Sequence, residues 1–310
     1  MHGGVNLLAT ILSSLRIQHI SPHHDSQEHH SLQQYLYSHK GFSKMRSKSL
    51  LIINPNTTQS MTKSIDKIVD DLQQEGTTST SVKTYTATSG VTSINNEDDA
   101  LASAKVVFED LKDEFTKYDA ILVACYSAHP LVGMLQDNLP PHIHVTGILE
   151  ASISTALSLL PSRSEGSQKS NVQKKFGIVS TGTYWEKALS DAVQSYLDLA
   201  DVKASGRFKG VETTGLNADE LHSASPDLVR QRMIEATARL VRDREIKVVC
   251  LGCAGMAGLD SIVEEALVQE LGAEPAMEVH VLDGVKAGIV VLEGLMRAVP
   301  RKNRVENAVS

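Results

Sequence analysis

Short apolar runs alternate with longer amphipathic stretches from Ser49 almost to the C-terminus. Most of the short runs are rich in Val, Ile and Leu, which is typical of strands buried on both faces of a sheet. These predicted strands lie at about 50–54, 81–86, 118–125, 143–146, 175–180, 206–208, 246–253 and 279–282. Apolar side chains recur with the helical period at about 61–74, 97–117, 148–160, 184–199, 227–244, 262–271 and 285–297. The alternation predicts an α/β fold, with parallel sheets that carry helices on both faces.

The pattern occurs twice, with a cysteine at the matching place in each half. The first half opens on a strand that ends at Asn54, and a later apolar run ends at Cys125. The second half opens on a strand that leads to Thr181, and a later run ends at Cys253. The two spacings are 71 (125 − 54) and 72 (253 − 181) residues. This near-equality indicates a duplicated α/β unit with one thiol per copy, and the Ser/Gly/Lys-rich stretch 161–172 is predicted to be a surface loop between the halves.

Polar or reactive residues stand at or just past the ends of the predicted strands. In a parallel sheet, ligands bind beyond the carboxyl ends of the strands, so these residues are expected to share one site. They are Asn54, Cys125, Thr146, Thr181, Cys253 and Asp283.

Cys125 and Cys253 are the candidate catalytic groups. Each is followed by a turn and then a helical stretch, where backbone N–H groups favour a thiolate over the free thiol's pKa of about 8.5. The alternative is that each is a small buried apolar side chain, but their matched contexts favour catalysis. Two thiols that face each other across a substrate could move a proton from one face of a stereocentre to the other. Cys250 forms a Cys-x-x-Cys pair with Cys253, but it lies inside a predicted strand and is expected to be structural.

Polar turns next to these thiols are predicted to hold the substrate. The turns Asn54-Pro-Asn56 and Ser180-Thr-Gly-Thr183 offer amide, hydroxyl and N–H groups that could stabilise an enolate, or that could simply cap helices. His129 could bind substrate or lower the pKa of Cys125, or it could be only a helix-entry residue before Pro130. The other histidines of the folded part are expected to be structural, namely His142, His144, His222 and His280.

Composition narrows the class of protein. The chain has 310 residues, 41% hydrophobic and 22% charged, and a formal net charge of −7 that is spread along it. No dense basic stretch is present, so neither nucleic acid nor a membrane surface is an expected partner. No Gly-rich nucleotide fingerprint, second zinc-ligand pair or apolar run of about 18 residues is found, so no cofactor, metal or membrane span is predicted. Three cysteines favour a reducing compartment and a cytoplasmic protein.

The first 44 residues differ from the rest of the chain. They contain seven of the twelve histidines and only two acidic residues, Asp25 and Glu28. Residues 1–48 are therefore predicted to be a disordered leader, with Met45 as a natural start of the folded part. A short amphipathic patch at 7–15 leaves mitochondrial targeting as an alternative, although transit peptides are usually richer in arginine.

Four segments together resemble the aspartate/glutamate/hydantoin racemase superfamily. They are Ile52-Ile-Asn-Pro-Asn-Thr57, Ala124-Cys-Tyr-Ser127, Gly147-Ile-Leu-Glu-Ala151 and Leu251-Gly-Cys-Ala-Gly-Met256. The resemblance covers about 49–298 and is strongest to the hydantoin and allantoin racemase branch in its fungal form.

The resemblance implies two flavodoxin-like domains with a cofactor-independent active site in the cleft between them. One domain would combine 49–150 with 284–305, and the other would be 151–283. The family's catalytic cysteines would fall on Cys125 and Cys253, and members usually form homo-oligomers. Its ligand-holding turns would fall on Asn54, Ser127, Thr181 and Cys253-Ala254-Gly255. Bacterial hydantoin racemases commonly have Gly or Ser and then Asp after the first cysteine, whereas this chain has Ser127-Ala128-His129, which bears on the substrate more than on the reaction.

The resulting hypothesis is racemisation of a 5-substituted hydantoin, most of all allantoin, a compound of purine catabolism. One cysteine would remove the proton as a thiolate, and the other would return one as a thiol. The alternatives within the superfamily are an amino-acid racemase, a maleate-type isomerase and an arylmalonate-type decarboxylase, the last of which needs only one cysteine. A different alternative is a two-lobed binding protein that closes on a small ligand without chemistry.

Overall fold

The computed structural model describes residues 47–78, 80–162, 174–199 and 206–299. The predicted leader and most of the predicted loop at 161–172 lie outside these ranges. The described chain forms two four-stranded sheets in which every strand pair is parallel. The predicted α/β architecture with parallel sheets is therefore confirmed.

The two sheets have the same strand order, one in each half of the sequence. The first sheet is ordered β2-β1-β3-β4, and the second is ordered β6-β5-β7-β8. The strands are β1 Ser49–Asn54, β2 Ser81–Thr86, β3 Ala120–Val123, β4 His144–Gly147, β5 Lys175–Ser180, β6 Phe208–Thr213, β7 Ile246–Leu251 and β8 His280–Asp283. Matching strand orders are what the duplicated unit predicted.

Helices connect the strands as the apolar periodicity predicted, with small shifts at their ends. They are α1 Gln59–Gln74, α2 Glu97–Leu111, α3 Pro130–Asn138, α4 Ile148–Leu159, α5 Tyr184–Tyr196, α6 Glu220–Ser223, α7 Pro226–Val241, α8 Asp260–Leu271, α9 Ala273–Ala276 and α10 Gly284–Ala298. Two 3₁₀ turns, Phe115–Lys117 and Ala254–Met256, complete the described elements. The short helices α6 and α9 were not predicted, because a single turn is too short to show a period.

The central strands are buried on both faces. Leu50, Leu51, Ile52 and Ile53 of β1 are at most 1% exposed, as expected for a parallel sheet covered by helices. One apolar cluster also joins the halves, since Ile148 and Tyr126 pack in the same cluster as Phe176, Val248 and Cys250. The shared cluster holds the two sheets together and lets residues from both contribute to one site.

The C-terminal helix α10 returns to the first half of the chain. It packs against α4 and against β3 and β4. Gly288 lies so close to β3 that a Cβ there would be 2.5 Å from Leu122 Cδ1. These contacts place the helix beside the first sheet. The predicted domain boundaries stay a prediction. None of the helices in the described ranges is long and apolar enough to cross a membrane.

Candidate active site

The two candidate thiols stand at equivalent places beyond two central strands. Strand β3 ends at Val123 and β7 ends at Leu251, so each cysteine is the second residue after its strand. The predicted strands continued to the cysteines themselves, because the apolar run does not reveal where ladder pairing stops. Both cysteines line one small cavity of about 30 Å³. The structure thus brings together two thiols that are 128 residues apart (253 − 125) in sequence.

Cys125 lies in a buried turn whose groups act on its thiol in opposite directions. Burial raises the pKa of Cys125 to about 12, although its side chain is partly exposed to the cavity. A hydrogen bond between Cys125 Sγ and Ser127 Oγ, 3.3 Å long, lowers the pKa, whereas the nearby charges of Cys253 and Glu150 raise it. Cys125 therefore tends to keep its proton in the unliganded protein.

Cys253 is held by backbone N–H groups. It precedes the 3₁₀ turn Ala254–Met256, and the Gly255 N–H donates to Cys253 Sγ at 3.2 Å. Burial raises the pKa of Cys253 to about 11, and the backbone N–H groups of Gly255 and Met256 lower it. Donors of this kind stabilise a thiolate. The predicted helix N-terminus after Cys253 is thus a single 3₁₀ turn, which supplies the same donors.

The two thiols influence each other's protonation. A thiolate at Cys253 raises the pKa of Cys125, so the state with two thiolates is disfavoured. When one sulfur is ionised, the other tends to remain a thiol. The ionised sulfur can accept a proton and the thiol can donate one. Proton transfer from one face of a stereocentre to the other requires both.

The raised thiol pKa values predict a pH dependence of stability. In the unfolded chain a cysteine loses its proton near pH 9, whereas Cys125 and Cys253 keep theirs to about pH 12 and 11. Between those values the unfolded state binds fewer protons, so the free energy of unfolding falls as the pH rises. We expect denaturant unfolding to show this decline in the wild type and a shallower decline in a Cys125→Ser/Cys253→Ser double variant. An equally steep decline in the double variant would show that other groups cause it.

The two side-chain amides of the Asn54–Asn56 turn have different roles: that of Asn54 is hydrogen-bonded within the protein, and that of Asn56 lies at the cavity. Asn54 is 1% exposed, and its side chain donates to Thr58 O and Thr62 Oγ1 (both 3.1 Å) and accepts from the Asn56 N–H. Its hydrogen bonds are therefore used within the protein. Asn56 lines the cavity. Its Oδ1 accepts from the Thr58 N–H at 2.9 Å, whereas its Nδ2 meets only Met61 Sδ at 3.2 Å, a weak acceptor.

The turn after β5 likewise contains one residue that is hydrogen-bonded within the protein, Ser180, and one that lines the cavity, Thr181. Ser180 is fully buried and donates to Gly252 O at 2.8 Å, which ties β5 to the loop that precedes Cys253. Thr181 and Ala254 line the cavity, and the Thr181 carbonyl accepts from Gly215 N–H at 3.0 Å. Ser180 is thus a positioning residue for the loop, while Thr181 and Ala254 border the space between the thiols.

Three other residues that the sequence placed at or near the site, His129, Thr146 and Asp283, do not line this cavity. His129 caps α3 by accepting from the Leu131 N–H at 3.3 Å, and its other ring nitrogen is 3.1 Å from Ser103 Oγ. Burial lowers the pKa of His129 to about 4, so the ring is neutral, and each of its nitrogens has a hydrogen-bond partner. Thr146 bonds to the Gly147 carbonyl, and Asp283 caps α10 through Val285 and Lys286. His129 thus has the helix-entry role that the sequence offered as its alternative, and its contact with substrate stays a prediction.

Several residues of the site were missed from the sequence. Trp185 and Ala218 line the cavity from the second half, and Met61 and Ile94 line it from the first. Trp185 is the chain's one tryptophan and comes just after the Thr181 turn, which could have identified it. Ala218 lies in an irregular segment after β6 and carries no such signal.

Glu150 is a half-buried residue whose carboxylate lies near Cys125. It is in the first turn of α4, and burial raises its pKa, although the backbone N–H groups of Gly147 and Glu150 lower it. Its Oε2 has no hydrogen-bond partner among the described residues. A helix-capping interaction with the Gly147 N–H accounts for its position. Its charge nevertheless acts on Cys125, which favours the thiol form there.

Among the residues that the structure describes, no group of three His, Cys, Asp or Glu side chains is arranged to hold a metal ion. His222 lies beside the Cys253 turn, since a Cβ at Gly255 would be 3.2 Å from its Nε2. Partial burial lowers the pKa of His222. It adds a neutral ring next to the cysteine.

The sequence is similar to known proteins over most of its length. The family model for "Asp/Glu/Hydantoin racemase" matches residues 50–292. A Schizosaccharomyces pombe protein, C1F7.10, is 32% identical over 80% of this chain and 92% of its own length. Hydantoin racemase from Pseudomonas sp. (strain NS671) is 27% identical over 79% of this chain and 84% of its own.

A solved structure has the same fold. The crystal structure of allantoin racemase from Pseudomonas fluorescens matches with a TM-score of 0.64 and 24% identity, and the match covers 83% of this chain and 94% of that one. The residues that the family model matches, 50–292, include both cysteine turns and helix α4. The chain belongs to the Asp/Glu/hydantoin racemase family and is an enzyme of the isomerase class.

Proposed function

We propose that the protein racemises a 5-substituted hydantoin, with allantoin as the leading substrate, by proton transfer between Cys125 and Cys253. The observation that carries the proposal is the meeting of these two cysteines, one from each sheet, in a single cavity. Each has its own hydrogen-bond partner, Ser127 Oγ or the Gly255 N–H, so each can be held in place on its own side of a ligand.

The reaction needs one thiolate and one thiol at the start. The thiolate takes the proton from the stereogenic carbon, so that the C–H bond breaks, an S–H bond forms, and the electron pair moves into the adjacent carbonyl as an enolate. The other thiol then gives its proton to the opposite face of the carbon, and its S–H bond breaks. The proton on sulfur has changed sides at the end, and the pair is ready for the opposite enantiomer.

Cys253 is the better candidate for the thiolate of the resting enzyme. It receives backbone N–H hydrogen bonds, whereas Cys125 has the carboxylate of Glu150 nearby. Both effects favour ionisation at Cys253 over Cys125. The enantiomer whose proton faces Cys253 would then react first from the resting state.

Asn56 is the donor best suited to stabilise the enolate. Its Nδ2 has only a thioether sulfur as partner, so turning toward a substrate oxygen would cost little. A donor aimed at developing oxyanion charge typically contributes about 10²- to 10³-fold to kcat. The buried setting strengthens such an interaction, because little water competes for the oxygen.

Replacing Asn56 with aspartate tests this role. Asn56→Asp keeps the oxygen that accepts from the Thr58 N–H but removes the donor and brings negative charge toward the enolate. We expect kcat for hydantoin racemisation to fall by about a hundredfold or more. Asn138→Asp, the same change on an exposed helix end, is the matched control. Equal activity of Asn56→Asp and wild type would remove Asn56 from the mechanism.

A substrate panel tests the proposed reaction itself. Single enantiomers of allantoin, of several 5-substituted hydantoins, of glutamate and of aspartate would be followed by circular dichroism or chiral chromatography, and maleate by proton NMR of the fumarate formed. A no-enzyme control is needed, because hydantoins racemise slowly unaided. We expect loss of optical activity above background for the hydantoins only. Turnover of the amino acids or of maleate, with none for any hydantoin, would replace the proposal with one of those activities.

A further inference from the structure

A second, larger cavity adjoins the cavity between the cysteines. It has a volume of about 270 Å³ and lies between the start of α2, the loop after β3 and helix α5. Trp185 lines both cavities. Ser127, whose Oγ is 3.3 Å from Cys125 Sγ, lines the larger one. A single side chain, that of Ser127, therefore lies between the Cys125 thiol and the larger cavity.

The cavity between the cysteines is too small to hold a whole substrate. Its 30 Å³ is close to the volume of one water molecule, about 30 Å³. Small-molecule sites begin at about 300 Å³. The two cavities together approach that size, so a ligand whose reacting carbon lies between the sulfurs must place its remaining atoms elsewhere, and the space past Ser127 and Trp185 is adjacent.

The walls of the larger cavity combine apolar and hydrogen-bond-accepting groups. Ala100, Ala188, Leu189 and Ala192 form the apolar part. Asp191 also lines it, but its carboxylate is paired with Lys187 Nζ at 2.5 Å. Glu97 lines it from the first turn of α2, and its carboxylate has no ion pair or hydrogen bond to another described residue. A free carboxylate beside an apolar wall suits a slender group that ends in N–H donors.

The geometry points to this cavity as the subsite for the substituent on the substrate's stereogenic carbon, and to a substituent with terminal N–H donors, such as a ureido group, as its preferred occupant. The inference rests on the proposed function. It extends that function by locating the part of the site that distinguishes one hydantoin from another.

Filling the cavity is the first test. Ala188→Leu and Ala192→Leu add volume on the cavity side of α5, and Ala102→Leu makes the same change at an exposed position of α2. The readout is the ratio of kcat/KM for allantoin to that for 5-methylhydantoin, whose methyl group hardly needs the subsite. We expect the ratio to fall about tenfold or more in the two filling variants. Ala102→Leu should keep the wild-type ratio.

Changing the charge without changing the volume is the second test, which does not depend on how well the filled variants fold. Glu97→Gln is compared with Asp98→Asn, an exposed residue of the same helical turn that does not line the cavity. We expect Glu97→Gln to lower the same ratio about fivefold, because glutamine keeps an oxygen acceptor but makes a neutral hydrogen bond, which is about half as strong as a charged one. Asp98→Asn should leave the ratio at its wild-type value.

The outcomes separate the subsite from the proposed function. If the wild type racemises both hydantoins and every variant keeps the wild-type ratio, the subsite assignment is wrong while the racemase proposal stands. An equal loss on both substrates in the filling variants, with no change in ratio for Glu97→Gln, would also overturn it. If the wild type racemises neither hydantoin, the proposed function fails and the subsite fails with it.

Discussion

Serine in place of either Cys125 or Cys253 is expected to lower kcat/KM for hydantoin racemisation about a thousandfold. Serine keeps the size and the hydrogen-bonding capacity of the side chain, but its hydroxyl is a far weaker acid than a thiol. It therefore cannot act as the ionised base in the way that a thiolate does. Both single variants should be affected, because each direction of racemisation uses one cysteine as base and the other as acid. Far-ultraviolet circular dichroism would check that the fold is retained.

Cys250→Ala is the matched control for these variants. Cys250 is fully buried in β7, three residues before Cys253, and does not line the cavity between the other two cysteines. Its loss should cost some stability through the small cavity that it leaves, but most of the activity should remain. Full activity in Cys125→Ser or in Cys253→Ser would contradict the two-thiol mechanism. A comparable loss in Cys250→Ala would show that cysteine replacement acts through the fold.

Alanine at Gly252 is expected to destabilise the protein by about 2–3 kcal/mol. A Cβ there would lie 2.7 Å from Ile178 Cγ2, 2.8 Å from Val179 O and 2.9 Å from Ser180 Cβ. The Val179 carbonyl cannot move away, because it accepts from the Gly252 N–H at 2.7 Å. Denaturant unfolding should show the loss. Since Gly252 immediately precedes Cys253, the strain should also displace the thiol and lower activity.

Gly294→Ala provides the control for the glycine change. Gly294 is exposed on α10, and a Cβ there would meet nothing within 4 Å. Alanine is the better helix former, so this variant should be as stable as the wild type or more stable by up to about 1 kcal/mol. A Gly252→Ala variant as stable as Gly294→Ala would show that the loop before Cys253 yields easily, and the rigid placement of that thiol would have to be abandoned.

Much of the fold is readable from the sequence, because the buried parallel strands leave strong apolar runs. The structure departs from prediction where an apolar period continues through a break in the helix. Val107, Leu111 and Phe115 have the spacing of one helical face, so a helix was predicted to 117. The helix ends at Leu111, and Phe115 is buried instead from a 3₁₀ turn. The spacing of apolar residues thus shows which side chains are buried. It does not show whether the backbone that carries them is one continuous helix.

The site is less readable than the fold. Cys125 and Cys253 could be predicted to share a site, because ligands bind beyond the carboxyl ends of parallel strands. Both line one cavity, and each is the second residue after its strand. The polar turn Asn54-Pro-Asn56 offered both amides as substrate-binding groups, yet only Asn56 lines the cavity, while the side-chain amide of Asn54 is hydrogen-bonded to Thr58 and Thr62. Trp185 reaches the cavity from a helix of the other half, and that approach depends on how the two sheets pack.

The central claim is that two thiols act on opposite faces of one carbon. Proton NMR in D₂O with single enantiomers of allantoin tests it most directly. With the wild type, the account predicts that the inverted product carries deuterium at the stereogenic carbon from the first turnovers. Cys125→Ser and Cys253→Ser should each show no inversion above the no-enzyme background. Inversion that delivers the substrate's own proton to the product, or inversion by either single variant at the wild-type rate, would contradict the two-thiol account.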